Sequence, residues 1–403
     1  MINKPELLAP AGSLEKLKTA LTFGADAVYF GIPDFSLRVR INTFTLAKIK
    51  QGIKYARDNN KKVYLTLNIF AHNKHLNKLP KYIAFIKEAK PDAIIVSDPG
   101  IINIIKTKLP KIEIHLSTQA NCTNWQAAKF WHEAGVKRII LGREVTLKEI
   151  AEIHKKVPQV ELEYFVHGAM CMSYSGRCML SKWLMNRSAN LGDCVQPCRW
   201  NYHVVEEKRP NTFIPIEEDR HGTYIFNSKD LCLLDHLEKL KKAGIMSFKI
   251  EGRAKSIYYL ANIIKIYRQA IDKTKTLKHL NSELAKLMNR GYTTGFLYGE
   301  DKEIQNTDRS HFEPKWEFVG EVLKCNSKTK QVTVKVHNSI KTNDQLEFVL
   351  PCGENFKFKI KDFYNTKNKQ KLTAAHGGGG GKTIYFKVPK EVPIMTVIRK
   401  KLK

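Results

Sequence analysis

Between residue 5 and about residue 255 the chain repeats one pattern, a short apolar run followed by an amphipathic stretch. The apolar runs are Glu6–Ala9, Ala27–Gly31, Lys62–Ile69, Ala93–Ser97, Glu113–Ser117, Arg138–Gly142, Val160–Val166 and Ser247–Ile250. They are short, rich in Val, Ile, Leu and Tyr, and suited to strands buried on both faces. Leu14–Thr22, Leu46–Asn59, Lys81–Lys90, Trp125–Ala134 and Leu147–Lys155 carry helical periodicity between them. Gly24 and Gly135 stand where helix C-caps belong. Eight strands joined by helical crossovers predict an α/β fold, a TIM-like (β/α)8 barrel. A doubly wound open sheet is the alternative, and the count of eight favours closure.

The connection from the seventh strand to the eighth is the longest, about 80 residues, and belongs on the C-terminal rim where barrels of this kind carry their active sites. Within it, Tyr202–Glu206 and Gly222–Phe226 read as a strand pair and Leu231–Ala243 as a returning helix. A helix follows at Ala254–Lys273, then a polar segment to about Pro314. From Glu317 onward, alternating runs between polar turns predict a small antiparallel β-barrel. The expected division is 1–300 for the barrel with its insertion at about 168–245, 301–315 for a linker, and 316–403 for the C-terminal β-barrel.

Of the 8 cysteines, Cys171, Cys178, Cys194, Cys198 and Cys232 lie in that insertion. Glycines and small residues flank the first two, leaving room for a bulky group. Clustered thiols in a chain without secretory character point to a metal. The tight C-x2-C knuckles of zinc sites do not occur among the five. Thiolates from separated loops suit a [4Fe–4S] cluster, while zinc and buried or redox-active thiols remain open on spacing alone.

Residues just past barrel strands point at substrate. Here they include Arg38, Arg40, Asn68, Gln119, Arg143, Glu144, His167, Glu251 and Arg253. Arg143 and Arg253 could each grip a carboxylate or phosphate with two N–H groups; the plainer reading is two structural ion pairs, Arg143–Glu144 and Glu251–Arg253. His167 is a candidate proton donor, or a satisfied buried histidine. Other chemistries find no support. His132-Glu133 is not completed to H-E-x-x-H, and no G-x-S-x-G elbow occurs. The glycine run between His376 and Lys382 lacks the first glycine of a phosphate loop and leads into a strand.

Charge narrows the partners. Lysine and arginine total 68 against 39 acidic residues, a net +29, which suits a polyanion such as nucleic acid, although a lysine-heavy solvated surface would give the same count. The N-terminus has no apolar signal-like region and no apolar run reaches a membrane span, so a cytoplasmic location without membrane contact is expected.

The segment Glu163-x-Phe165-x2-Gly168-Ala169-Met170-Cys171-x4-Gly176-x-Cys178-x-Leu180-Ser181 resembles the signature of peptidase family U32, the collagenase-like group. Similar family-like segments are Glu6–Gly12, Ala25–Gly31, Ser117–Asn121, Phe248–Arg253 and Arg290–Gly295. The resemblance covers essentially the whole chain. It implies a barrel-like catalytic domain with an oxygen-sensitive [4Fe–4S] cluster on Cys171, Cys178, Cys194 and Cys232, with Cys198 as an alternate ligand. Members carrying a C-terminal β-barrel resemble tRNA hydroxylases that form 5-hydroxyuridine at the wobble position without O2, with prephenate implicated. The rival expectations are a peptidase, a ribosomal RNA or quinone-pathway hydroxylase, and a nonenzymatic RNA-binding scaffold.

Overall fold

Eight parallel strands close into a barrel. In the computed structural model they are β1 (Glu6–Pro10), β2 (Ala27–Gly31), β3 (Lys62–Leu67), β4 (Ala93–Val96), β5 (Glu113–Leu116), β6 (Arg138–Ile140) and β7 (Glu161–Ala169), with β9 (Ile245–Ile250) as the eighth. Each pairs in parallel with the next, and β9 pairs with both β7 and β1, which completes the ring. The residues described are 4–37, 42–171, 173, 178–200, 228–299, 312, 314–378 and 382–402, with four two-residue strands between 204 and 223. Arg38, Arg40 and most of the expected 301–315 linker lie outside the described residues.

The strands form where the sequence offers apolar runs, and they are buried almost throughout; β2 is fully buried along its length. The crossover helices are α1 (Leu14–Thr22), α2 (Leu46–Asp58), α3 (Leu79–Ala89), α4 (Pro99–Lys108), α5 (Trp125–Glu133) and α6 (Leu147–Lys156). Five start at a polar cap: Ser13, Thr45, Asp98, Asn124 and Thr146 each accept from a backbone N–H in the first turn. Such a cap satisfies one of the four otherwise orphaned helix donors, worth about 1 kcal/mol.

The long seventh connection departs from expectation. It holds α7 (Leu180–Met185), the strand β8 (Asp230–Cys232) and α8 (Leu237–Lys242). The helix expected from Leu231 is therefore a strand first: β8 pairs antiparallel with the end of β7, placing Cys232 opposite His167. The expected pairing of 202–206 with 222–226 is also replaced. Val204–Val205 pairs with Phe213–Ile214, and Gly222–Thr223 with Glu218–Asp219, making two local hairpins. Past the barrel come α9 (Ile257–Ile271), then α10 (Leu277–Leu284) and β10 (Tyr292–Thr293) inside the segment expected to be merely polar.

The C-terminal domain is an eight-stranded antiparallel sheet that curls around its own core. Its strands are β11 (Trp316–Asn326), β12 (Gln331–Val336), β13 (Gln345–Val349), β14 (Phe356–Lys359), β15 (Phe363–Asn365), β16 (Lys371–Leu372), β17 (Thr383–Lys387) and β18 (Val397–Lys401). It is seated on α9 and α10. Arg399, fully buried, donates to Glu347 at 2.7 Å, Asn262 at 3.1 Å and Glu283 at 2.5 Å. Lys265 of α9 donates to the Leu350 and Gly353 carbonyls at 2.7 and 3.1 Å. Phe318 stacks on Tyr258 at 5.2 Å, and Val349 and Val397 join the barrel's own apolar core.

Candidate active site

The floor of the barrel is charged where such barrels are commonly filled by branched apolar side chains. Glu6, at the start of β1, accepts from Tyr64 and Arg138, both at 2.6 Å, and from Ser247 at 3.0 Å. Arg138 also reaches Glu161 at 2.9 Å and the fully buried Glu163 at 3.2 Å. Lys249 donates to Glu163 at 2.6 Å. Burial opposes charge on Glu163, but the Lys249 ammonium and Arg138 guanidinium outweigh it and hold its carboxyl below the usual range. Sequence reasoning did not single out this network. Yet Glu6, Glu163 and Lys249 all lie in the family-like segments, so those segments encode the floor as well as the rim.

Above the floor, Tyr29 and Phe165 form an aromatic layer between cations. Lys249 Nζ lies 4.3 Å from the Tyr29 ring centre and 5.5 Å from that of Phe165. The Arg143 guanidinium lies 4.1 Å from the Phe165 ring centre, and that of Arg253 lies 5.8 Å from Tyr29. These contacts place Arg143 and Arg253 on the mouth side of one aromatic layer. Among the described residues neither forms an ion pair with its acidic sequence neighbour. Arg143 donates to the Ala169 carbonyl at 3.1 Å, which ties it to the segment leading into Cys171. Arg253 donates to Ser36 Oγ at 2.9 Å and to the Leu37 carbonyl.

A neutral ring of polar groups completes the mouth. Asn68 Nδ2 donates to Ser117 Oγ and Gln119 Oε1, each at 3.1 Å, and Asn68 Oδ1 accepts from the Leu37 amide at 3.3 Å. Glu144 folds back beside Gly142, half-buried. Glu251 is placed through its backbone, its amide donating to the His167 carbonyl at 2.8 Å. This close approach requires Gly168: its φ is +117°, and a Cβ there would lie 2.6 Å from the Glu251 carbonyl oxygen.

His167 sits apart from the arginines. It is 1% exposed and packed among Tyr259, Tyr267 and Tyr292. Tyr267 gives its hydroxyl proton to the Val166 carbonyl at 2.9 Å, so its 3.2 Å contact with His167 Nδ1 calls for Nδ1–H. Burial drives His167 down to about 4, leaving a neutral imidazole at pH 7. The same hydroxyl lies 3.9 Å from Cys232 Sγ. Burial pushes the Cys232 thiol up to about 11.

No disulfide joins the five insertion cysteines among the described residues; Cys171 is exposed and the other four are half-buried. Cys194 Sγ accepts from the Gln196 amide at 3.4 Å. The donor set therefore fits a soft metal centre in kind and number. It is not drawn together as a ligand shell: among the described residues no three His, Cys, Asp or Glu side chains are grouped to hold a metal ion. Much of the chain from 172 to 177 and from 201 to 227, between these cysteines, lies outside the described residues.

Comparison with known proteins adds the context. The Peptidase family U32 model matches residues 12–307, and the Peptidase family U32 C-terminal domain matches 314–399. A tRNA hydroxylation protein P of Haemophilus influenzae is 40% identical over 96% of this chain and 94% of its own length. A tRNA hydroxylation protein P1 of Bacillus subtilis is 38% identical over 99% and 95%. A collagenase of Porphyromonas gingivalis is 33% identical over 74% of this chain and 75% of its own.

Proposed function

Because the chain belongs to peptidase family U32, we propose that it is a tRNA-hydroxylating enzyme that converts the wobble uridine to 5-hydroxyuridine. One observation carries the reading: two relatives named for tRNA hydroxylation align across both domains, over 94% or more of either chain. The collagenase relative aligns over a smaller share, 74% of this chain. The net charge of +29 supports a polyanionic substrate. The target base would leave its stack to enter the mouth. Exposed Met179, Trp183 and Met185, beside Cys178 on and around α7, offer an apolar surface for it.

In this reading Arg143 and Arg253 bind the carboxylates of a small co-substrate, with prephenate as the candidate. Their placement over Phe165 and Tyr29 supports that role, since an aromatic base holds each fork in a fixed plane. Glu144 and Glu251 border the same opening and are the candidate proton-handling groups. His167, neutral and enclosed, acts by orienting Tyr267 and the strand pairing that carries Cys232. Cys171, Cys178, Cys194 and Cys232, with Cys198 as the alternate, would hold a [4Fe–4S] cluster. When bound, such a cluster supplies one-electron chemistry or an open iron site. A cytoplasmic location follows from this substrate; no helix among the described residues is long and apolar enough to cross a membrane.

The test is mass spectrometry of tRNA nucleosides from a deletion strain carrying the wild-type gene, Arg143→Ala or an empty vector. Loss of 5-hydroxyuridine and its derivatives without the gene, restored by wild type and not by Arg143→Ala, is the expected result. Unchanged nucleosides in the deletion strain reject the reading. Gelatin hydrolysis by metal-free protein would return the peptidase alternative.

A further inference from the structure

The C-terminal sheet has two outward arcs with different fates. One, carrying Glu347, Arg399 and Phe318 in a cross-strand row, is buried against α9 and α10. The other runs across β16, β15, β17, β12 and β11. There the register aligns Lys371, Tyr364, Tyr385, Thr333 and Lys324 in a single row. Row members share a face because cross-strand partners point the same way. Residues 332, 334, 384 and 386, which alternate with that row, fill the sheet's interior, so the row itself faces out.

The two tyrosines are half-exposed and stack on each other, ring centres 5.3 Å apart and planes 20° apart. Cations frame them. Lys324 and Lys387 are exposed and form no ion pair among the described residues, while Lys371 is held by Asp362 at 2.6 Å. Residues 316–403 carry 18 lysines and arginines against 7 acidic residues. An aromatic pair inside a basic field is the chemistry that binds unpaired nucleotides: bases stack on rings while lysines take the phosphates. A protein partner would be met by a less charged surface, since interface cores are depleted in lysine.

We propose that the Tyr364–Tyr385 face is a docking platform for single-stranded nucleotides of the RNA substrate, separate from the barrel mouth. The inference rests on the tRNA reading and adds where the RNA is held. Stacking on Tyr364 and Tyr385 supplies sequence-tolerant affinity, and Lys324 and Lys387 add the salt-dependent part. Because Arg399 and Lys265 anchor this domain to the barrel, an RNA held here is presented to the mouth at a fixed offset.

The test uses the full chain and fluorescence anisotropy with two probes, a tRNA transcript and a short single-stranded oligouridine. Tyr364→Ala/Tyr385→Ala is expected to weaken both about tenfold or more, given ~1–3 kcal/mol per stacked base. Tyr364→Phe/Tyr385→Phe keeps the rings and should bind within about twofold of wild type. Lys324→Gln/Lys387→Gln should flatten the dependence of log affinity on log salt by roughly 1.4, at about 0.7 per single-strand phosphate contact. Wild-type affinity in the alanine pair, with folding confirmed by an unchanged melting curve, overturns the platform alone and leaves the nucleoside test standing. Equal losses in the alanine and phenylalanine pairs also overturn it, because ring faces would then not be what binds. Wild-type protein that binds neither RNA removes the platform, and normal hydroxylated nucleosides in the deletion strain remove the enzyme reading beneath it.

Discussion

Replacing Glu163 by Gln tests whether the barrel floor is an interdependent ion network. Glu163 is fully buried and takes the Lys249 ammonium at 2.6 Å and Arg138 at 3.2 Å. Arg138 would still keep Glu6 at 2.6 Å and Glu161 at 2.9 Å. The loss therefore falls on Lys249, 3% exposed and left with no carboxylate partner among the described residues. Removing one partner of a buried pair costs about 3–5 kcal/mol; an amide oxygen that can still accept one bond puts Glu163→Gln near 3. Lys249→Met should cost less, about 2 kcal/mol, because Glu163 keeps Arg138. The double variant should cost less than the sum of the two, by about 1–3 kcal/mol. Urea unfolding of all four proteins measures this. Glu163 is held below its unfolded range, so its contribution is present above about pH 4.3 and is lost as pH falls through the folded value. Glu163→Gln should thus show a shallower acid loss than wild type. Single costs that add to the double within about 0.5 kcal/mol would refute the network.

Three further outcomes follow from the same geometry. Gly168→Ala, forced to keep φ near +117° with its Cβ against the Glu251 carbonyl, should destabilise the fold by about 2–4 kcal/mol in urea unfolding. Among the described residues, Arg399→Met leaves Glu347 and Glu283 with only Lys286 for a cationic partner, so limited proteolysis should release the C-terminal domain faster than from wild type; an unchanged digestion rate would show that apolar contacts alone hold it. Iron per chain after anaerobic purification should fall sharply in Cys171→Ser, Cys178→Ser, Cys194→Ser and Cys232→Ser and persist in Cys198→Ser, whereas iron-free wild type would dismiss the cluster.

The barrel was legible because its strands are both short and apolar, and its helices announce themselves with caps such as Ser13, Thr45 and Thr146. The β8 strand was not. Leu231, Leu234, Leu237 and Leu240 repeat at helical spacing, and only the open edge at the end of β7 turns Asp230–Cys232 into a strand. Helix α10 hid in a polar stretch because the burial of Glu283 depends on Arg399, more than a hundred positions away. The charged floor was hidden for the same reason. Lys249 and Arg138 lie within the runs Ser247–Ile250 and Arg138–Gly142, and nothing local marks their partners until tertiary structure supplies Glu163 and Glu6. The rim arginines were found by position alone, but their aromatic supports, Phe165 and Tyr29, read as ordinary core residues.

A single irregularity in β7 separates the floor from the cysteine-bearing edge. Against β9 the pairing runs Phe165 to Lys249 and then His167 to Ile250, so β7 carries one extra residue at Val166. Without that bulge, strict alternation would put Glu163, Phe165 and His167 on one face. With it, Glu163 and Phe165 keep to Lys249 inside the barrel, while His167 meets Tyr259 and Tyr267 of α9. Bulges re-aim side chains in this way. Beyond the bulge the end of β7 pairs with β8, which carries Cys232 to within 3.9 Å of Tyr267. Gly168 then lets the Glu251 loop close over the same point. The Gly168 and Glu163 requirements thus act on opposite sides of one bulge. A substitution at either should disturb its own side first: the floor through lost stability, and the cysteine edge, on the proposed cluster reading, through lost iron at near-native stability once Gly168→Ala is rescued by a stabilising background.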